Sequence, residues 1–549
     1  MSYDDADHDW WQHAVIYQIY LRSFADGNGD GIGDLTGLRQ RLPYLHELGV
    51  DAIWITPWYP TPGVDGGYDV SDYCGINPEY GTLADADAVI AEAHRLGIRV
   101  IADLVPNHTS DQHPWFRRAA AAEPGDAARD RYWFRPGRGE RADQPPNNWQ
   151  SLFGGPAWTR LTPDGPDWYL HLFAAGQPDL NWTDPQLAGE FDAVLRFWFD
   201  RGIDGFRIDV AHGLSKDPQL PDLLAEDEQT LLGGAQQGHP HWDRDETIDI
   251  YRRWRAVADS YDPPRVFVAE AWVEGTERLR RYLSPDALHS AFNFGLLGCP
   301  WDAAALRREI VDHLAGLGRT APATWVLSNH DVIRHVTRYG RAQTSLDEAR
   351  QRYGEPVDLD LGRRRARAAA LLTLALPGST YVYQGDELGL AEVEDLPAAV
   401  RQDPNASEAP GRDGCRIPIP WAPDGTPSHG FGATDRGWLP SPPGWAGLSV
   451  AVQDGDPDSS LTLYRTALAV RRKLRAPGDE HDLHWFEAGP AVLAFRRGAL
   501  GCVVNLGAEP VRLNAGANVV LSSGSGDPGV VEPDTAAWVH LPAGGDELF

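Results

Sequence analysis

Short apolar runs recur along the chain, and each is followed by a stretch with helical spacing. AVIYQI (14–19) precedes an amphipathic stretch over Leu35–Leu48 that closes at Gly49. AIWI (52–55) precedes a helical stretch over 83–96, closed by Gly97, and RVIADL (99–104) follows. The rhythm then stops. From 105 to 181 the chain is rich in Pro, Gly, Asn and Trp and has no period. A structureless loop of that length does not fit inside a compact domain, so 105–181 is expected to be an inserted subdomain. The rhythm resumes with a helix over 187–201 and a run ending at Asp209. A helix over 246–261 precedes the run ending at Glu270. Then come a helix (276–283), a strand (290–294), a helix (302–318), a run ending at Ser328, a helix (363–376) and a strand (380–383).

Eight strands alternating with helices predict a (β/α)8 TIM barrel, built from 10–104 and 182–480. A second irregular stretch, 387–447, reads as an insertion at the same face after the last strand, and a helix over 461–474 completes the barrel. From 484 the pattern changes to short alternating runs with Gly-rich turns (AVLAFRRG, GCVVNLG, NVVLSS, AAWVHLPA). These predict a C-terminal antiparallel β-sandwich domain over 481–549.

Four of the barrel runs end in carboxylates or histidines: IRVIADLVPNH (98–108), GIDGFRID (202–209), RVFVAE (265–270) and ATWVLSNHD (323–331). A barrel collects the C-terminal ends of its strands at one face, so Asp209, Glu270 and Asp331 are predicted to converge there. Arg207 lies two residues before Asp209 and projects to the same side. A guanidinium beside a carboxylate favours its ionised form, which a nucleophile needs. Glu270 precedes Ala271-Trp272, and an aromatic neighbour raises a carboxyl pKa toward that of a general acid. One ionised carboxylate and one protonated carboxyl are the pair required for displacement at an acetal carbon. Asp331 is placed to bind hydroxyls or to steady positive charge. His108 is a candidate neutral hydrogen-bond donor.

Composition narrows the partners. The 549-residue chain has a net charge of −30, which repels a phosphate backbone and argues against nucleic acid; a neutral small molecule is unaffected. Its 21 Trp either plug small cores or stack on flat apolar faces such as sugar rings. Four scattered Cys without a CxxC fit a reducing compartment. The start, MSYDDADHDWWQ, has no basic or apolar signal region, and no run approaches a membrane span, so a cytoplasmic location is expected. Nothing in the sequence speaks to oligomeric state.

Asp26, Asn28, Asp30, Ile32 and Asp34 offer oxygen ligands at every second position, the last-but-one through its carbonyl, as a Ca²⁺ loop does. The twelfth position is Gly37, so this is not a full EF-hand. A metal-free Asx-turn loop is the alternative.

Together these segments resemble the α-amylase superfamily, glycoside hydrolase family 13, over nearly the whole chain. DLVPNH (103–108), GFRIDVAH (205–212), EAW (270–272) and SNHD (328–331) are similar to its four signature regions, in order. QPDLN (177–181) resembles the extra signature of the α-glucosidase and oligo-1,6-glucosidase branch. The resemblance implies Asp209 as the nucleophile of a retaining mechanism, Glu270 as acid/base and Asp331 as transition-state stabiliser, with the two reacting carboxyls about 5–5.5 Å apart. It implies Arg207, His108 and His330 as ligands of the reacting glucose, Tyr68 stacked under it and Phe153 lining the pocket. Asp65 and Arg416 would pair to close the subsite beyond the terminal glucose, giving an exo-acting α-glucosidase for short α-glucosides of maltose or isomaltose type. The loop 26–34 would hold structural Ca²⁺ or Mg²⁺. The signals for linkage conflict. Val210 is associated with α-1,6 preference in part of the family, whereas His212 resembles α-amylases, where it helps bind the aglycone. IPIPW (417–421) replaces the Thr-Pro-Met-Gln-Trp run of many relatives, and VIRHVTRYG after Asp331 lacks an isomerase loop. A transglucosylase or isomerase using the same chemistry is the alternative; a catalytically silent binding or scaffold relative is a third reading.

Overall fold

The computed structural model describes residues 8–224, 238–319, 321–404, 411–474, 483–541 and 548. Eight parallel strands form its central sheet: β1 (Val15–Ile19), β2 (Ala52–Ile55), β3 (Arg99–Leu104), β4 (Gly205–Ile208), β5 (Val266–Ala269), β6 (Ser290–Ala291), β7 (Thr324–Val326) and β8 (Ser379–Tyr383). The hydrogen-bonded order is β7-β8-β1-β2-β3-β4-β5-β6. Between β6 and β7 the ring is closed by the Asn293 N–H, which donates to the Thr324 carbonyl at 2.9 Å. The result is a (β/α)8 barrel.

Strand periodicity divides the sheet into two faces. Tyr17, Ile19, Ile53, Val100, Leu104, Phe206, Ile208 and Phe267 point outward into the layer shared with the helices. Ile16, Trp54, Ile101, Val268, Val326 and Tyr381 point inward and fill the barrel with apolar side chains. Two residues further along β1, β3 and β5, and at the matching position of β4, the interior turns polar: Gln18, Asp103, Glu270 and Arg207 are all buried. That change places ionisable groups on a dry, packed floor. The helices start with sequence-encoded caps. Asp34 accepts from the Gly37 N–H at the start of Leu35–Leu48, and Thr82 forms a capping box with Asp85 before Leu83–Arg95.

The 105–181 stretch holds a helix (Pro114–Ala121) and a three-stranded antiparallel sheet with Asp167–Leu170 between Phe134–Pro136 and Trp158–Arg160. The predicted strand over 290–294 is shorter than expected. Only Ser290–Ala291 pairs, and Phe294–Gly298 is helical because the Asn293 side chain caps the Leu296 N–H. A short apolar run alone does not distinguish the two. After the helix Ser460–Leu474, five antiparallel strands pair in the order 484–485, 492–497, 500–505, 535–540, 518–522, facing a two-stranded ribbon. One face of this sheet joins the barrel core through Phe495, Cys502, Val504 and Trp538, whose Nε1–H donates to the Leu371 carbonyl at 3.0 Å. Among the described residues no helix is long and apolar enough to cross a membrane.

Candidate active site

Arg207 stands at the centre of the C-terminal face of the barrel. Sheet register sets Asp103 of β3 beside it, with Val268 of β5 on its other side. The guanidinium lies over the rings of Trp54 and Tyr68, at 5.0 and 5.7 Å from their centroids. Its Nη1 donates to Asp103 Oδ1 (3.0 Å) and Asp209 Oδ1 (2.7 Å), and its Nη2 to Glu270 Oε2 (2.8 Å). Three buried carboxylates thus share one cation.

The balance of charge sets their protonation. Burial raises Asp209 well above the usual carboxylate range, and Arg207 offsets only part of that rise while Glu270 and Asp103 add to it. Arg207 pulls Asp209 down as expected but does not keep it low, which corrects the expectation of an ionised carboxylate: one guanidinium divided among three carboxylates does not offset desolvation plus mutual repulsion. Burial likewise pushes Asp103 up to about 6, against the pull of Arg207. Burial works against the charge of Arg207 itself, but Asp103 and Glu270 hold it firmly protonated. Glu270 is fixed from two further sides. The Val210 N–H donates to Oε2 (3.1 Å) and the Trp272 Nε1–H to Oε1 (3.2 Å), while the Trp272 ring stacks on Phe294 at 3.7 Å. The aromatic neighbour foreseen next to Glu270 therefore meets it through a hydrogen-bond donor.

Asp331 faces the opposite electrostatic setting. Burial favours its neutral form, but His330, Arg412 and Arg416 overcome this and hold it well below the usual carboxylate range. Oδ1 accepts from Arg416 Nη2 (2.7 Å) and Arg412 Nη1 (3.1 Å). His330 Nε2 lies 3.2 Å from Oδ2 and 2.6 Å from the Tyr68 hydroxyl. Gln18 Nε2, which can only donate, sits 2.7 Å from His330 Nδ1, so Nε2 carries the ring proton. Burial lowers His330 to about 3, keeping it neutral. Tyr68 stacks on His330 (5.4 Å, 11°) and donates to Asp103 Oδ2.

The expected Asp65–Arg416 pair is not the one formed. Arg412 Nη2 binds Asp65 Oδ1 at 2.5 Å and Asp403 Oδ1 at 2.7 Å, whereas Arg416 reaches Asp331 and the His330 carbonyl. The two arginines are four residues apart, and the 3-10 turn Asp413–Cys415 between them sets them at different depths. Arg412 also lies 5.5 Å from the ring centroid of Phe153, which packs edge-on against Phe173. His108 is lowered by burial and so neutral, as expected; its Nε2 lies 3.0 Å from the Tyr68 carbonyl and 3.1 Å from Gln177 Nε2. His212 stacks on Trp242 (5.0 Å, 25°), and burial lowers it to about 3.

Sequence reasoning assigned no role to Asp103, Gln177, Lys216, Asp403 or Arg412. Asp103 was accessible in principle, because parallel register puts it beside Arg207. Gln177 bridges His108 and Asp65 (3.1 and 3.2 Å), and Lys216 Nζ binds Asp179 Oδ2 and Asn107 Oδ1, both at 2.7 Å. These contacts join the inserted segment to the barrel across distances that no local pattern encodes.

In the 26–34 loop the carboxylates are turned onto the backbone. Asp26 accepts from the Asn28, Gly29 and Gly31 N–H groups, and Asp34 from those of Gly27, Asn28 and Gly37. Among the described residues no three His, Cys, Asp or Glu side chains form a metal-holding group. The donor set remains all oxygen, as a hard divalent cation requires.

A parallel barrel that gathers Asp209, Glu270 and Asp331 at one face, with Asp331 held ionised by its basic neighbours, has the layout of an enzyme acting on glycosidic bonds. The chain belongs to the α-amylase family: the model of the α-amylase catalytic domain matches residues 18–477. Within that family it lies in the α-glucosidase branch. It is 39% identical over 512 residues to a probable α-glucosidase of Rhizobium meliloti (strain 1021), covering 90% of this chain and 88% of that one. Among solved structures, an α-glucosyl transfer enzyme, XgtA, superimposes with a TM-score of 0.83 and 34% identity over 97% of this chain and 99% of that one. The trehalulose synthase MutB gives 0.81 and 31%, over 97% of this chain and 100% of that one.

Replacing Arg412 by Ala removes the guanidinium that Asp65, Asp331 and Asp403 share. Breaking a buried pair from one side costs about 3–5 kcal/mol. Thermal melts are expected to show a large destabilisation in Arg412→Ala that Asp65→Ala partly reverses in the double variant; additive losses would mean the bridge carries no coupling.

Proposed function

We propose that this protein is a retaining, exo-acting α-glucosidase that removes terminal non-reducing α-linked glucose from short oligosaccharides of maltose or isomaltose type. The observation that carries this reading is the convergence of Asp209 and Glu270 on Arg207, with Asp331 held at the same face by Arg412 and Arg416 and Arg412 bridging on to Asp65. Asp209 attacks the anomeric carbon while Glu270 protonates the departing oxygen, giving a β-glucosyl–enzyme. Glu270, now a base, takes a proton from water, which attacks the same carbon and restores Asp209 with the α configuration. Positive charge developing on the sugar ring favours the ionised form of Asp209 that burial alone disfavours. Asp331, His330, His108 and Arg416 line the pocket where the glucose hydroxyls would bind. Asp65 and Arg412 close it beyond one sugar, which makes the action exo.

The same first half-reaction serves transfer to a sugar, and two solved neighbours are a glucosyl transfer enzyme and a trehalulose synthase. The choice between water and sugar is made at the second half-reaction, where small barrier differences decide. A silent scaffold is set aside, since all three carboxylates are present and assembled.

We also propose that the 26–34 loop holds Ca²⁺ or Mg²⁺ through Asp26, Asn28, Asp30, the Ile32 carbonyl and Asp34. A carboxylate oxygen that accepts an N–H keeps a second lone pair for a cation. The ion would supply stability only. We infer a cytoplasmic setting from four unpaired cysteines, three of them buried.

Asp209→Asn is expected to reduce turnover of an aryl α-glucoside to about 10⁻⁴ of wild type with the fold intact; retained turnover would exclude this nucleophile. Proton NMR of maltose and isomaltose digests should show glucose appearing first as the α-anomer, and β-glucose first would refute retention. Because Asp209 must be ionised to attack and its pKa is raised in the free enzyme, kcat/KM should fall on the acid side at a higher pH than an ordinary Asp, near 3.9, would give. An acid limb at the ordinary value would contradict this. Adding Ca²⁺ or Mg²⁺ to chelator-treated protein should raise Tm, and Asp30→Ala should abolish the rise. No rise with either ion would leave the loop closed by its own Asx bonds.

A further inference from the structure

Val210, directly after the proposed nucleophile, has φ of 45°. The other left-handed non-glycine residues among those described are Ala142, Leu220, Asp243, Ser428, His429 and Asp534; Val210 is the one β-branched member. A β-branched side chain is the least tolerant of this region, so something over-determines the conformation. Two features do. The side chain is buried in a cluster with Trp242, Leu220 and Leu223. Gly213 makes room for it, since a Cβ there would come within 2.7 Å of both Val210 Cγ1 and Trp242. On the backbone side, the Val210 carbonyl accepts the Gly213 N–H (2.9 Å) and the Ala211 N–H donates to the Glu270 carbonyl (2.8 Å).

The consequence falls on Glu270. The left-handed turn directs the Val210 N–H at Oε2 (3.1 Å), which already accepts from Arg207 (2.8 Å). With both in-plane lone pairs of Oε2 engaged by donors, the transferable proton is carried on Oε1. We propose that Val210 is a positioning residue for the acid: its strained backbone aims an N–H at Glu270 Oε2, and its wedged side chain holds that aim. The inference rests on the glucosidase reading and deepens it. In the step concerned, the bond from the anomeric carbon to the leaving oxygen breaks, its electron pair goes to that oxygen, and the proton passes from Oε1 to it as Asp209 bonds to carbon.

The role predicts a dependence on the leaving group that a merely structural residue would not show. Val210→Gly keeps the N–H but removes the wedge. We expect its kcat/KM on maltose and isomaltose to fall about 10-fold to 100-fold, because these need a proton on the leaving oxygen. On 2,4-dinitrophenyl α-glucoside, which also fills the leaving-group site but whose leaving group needs little acid help, the fall should stay under about 3-fold. A second variant, with α-hydroxyvaline at position 210, keeps the side chain and replaces the N–H by oxygen; it should show the same selective loss and decides the matter if Val210→Gly does not fold. Equal losses on both substrate types, or none, overturn the inference while the glucosidase reading stands. A wild-type protein that turns over none of these substrates overturns that reading instead.

Discussion

The site depends on one guanidinium being held inside the barrel. Arg207 rests on Trp54 and Tyr68 and donates to three carboxylates from three strands, or the turns just beyond them. Exposing such a group to water would weaken every one of those contacts, because their strength comes from the low dielectric around them. The same burial makes negative charge costly there, and it raises Asp209 and Asp103 above the usual carboxylate range. Asp331 lies outside this sharing arrangement. Held by His330, by Arg416 and by Arg412, which it shares with Asp65 and Asp403, it stays ionised.

Scaffold and chemistry are joined by the two-residue period of the strands. Along β1, β3, β4 and β5 the inward positions run from apolar to polar within a single step: Ile16 to Gln18, Ile101 to Asp103, Gly205 to Arg207, Val268 to Glu270. The lower rung packs the barrel and the upper rung carries its buried polar groups. The walls come from the inserted segments, and these are fastened by buried polar contacts. Lys216, Asp179 and Asn107 clamp the 105–181 segment to the turn after β4, and Arg412 ties the 387–447 segment to Asp65 and Asp331. Each contact is costly to break from one side, so together they specify one closed geometry.

Much of this was legible in the sequence for physical reasons. The barrel was visible because eight buried parallel strands read as short apolar runs, and because helices announce themselves through period and caps at Asp34 and Thr82. Asp209, Glu270 and Asp331 were visible because a strand end at the active face has a fixed position relative to its run. His330 meets Asp331, His108 meets Gln177, and Phe153 lies against Arg412. The strand over 290–294 was overextended because Phe292 and Phe294 satisfy a strand and a short helix equally, until the Asn293 cap decides.

Chain order and local chemistry therefore determined which elements form, which face carries the chemistry and which three carboxylates meet there. Tertiary structure alone decided who partners whom and in what protonation state. Arg412 rather than Arg416 reaches Asp65, Asp403 completes that bridge, and Asp209 is raised where its neighbour on the strand suggested it would be lowered. Periodicity and spacing act over a few residues, whereas burial and charge sharing are properties of the assembled pocket. They exist only once β3, β4, β5 and the loop around Arg412 have been brought within a few ångströms of one another.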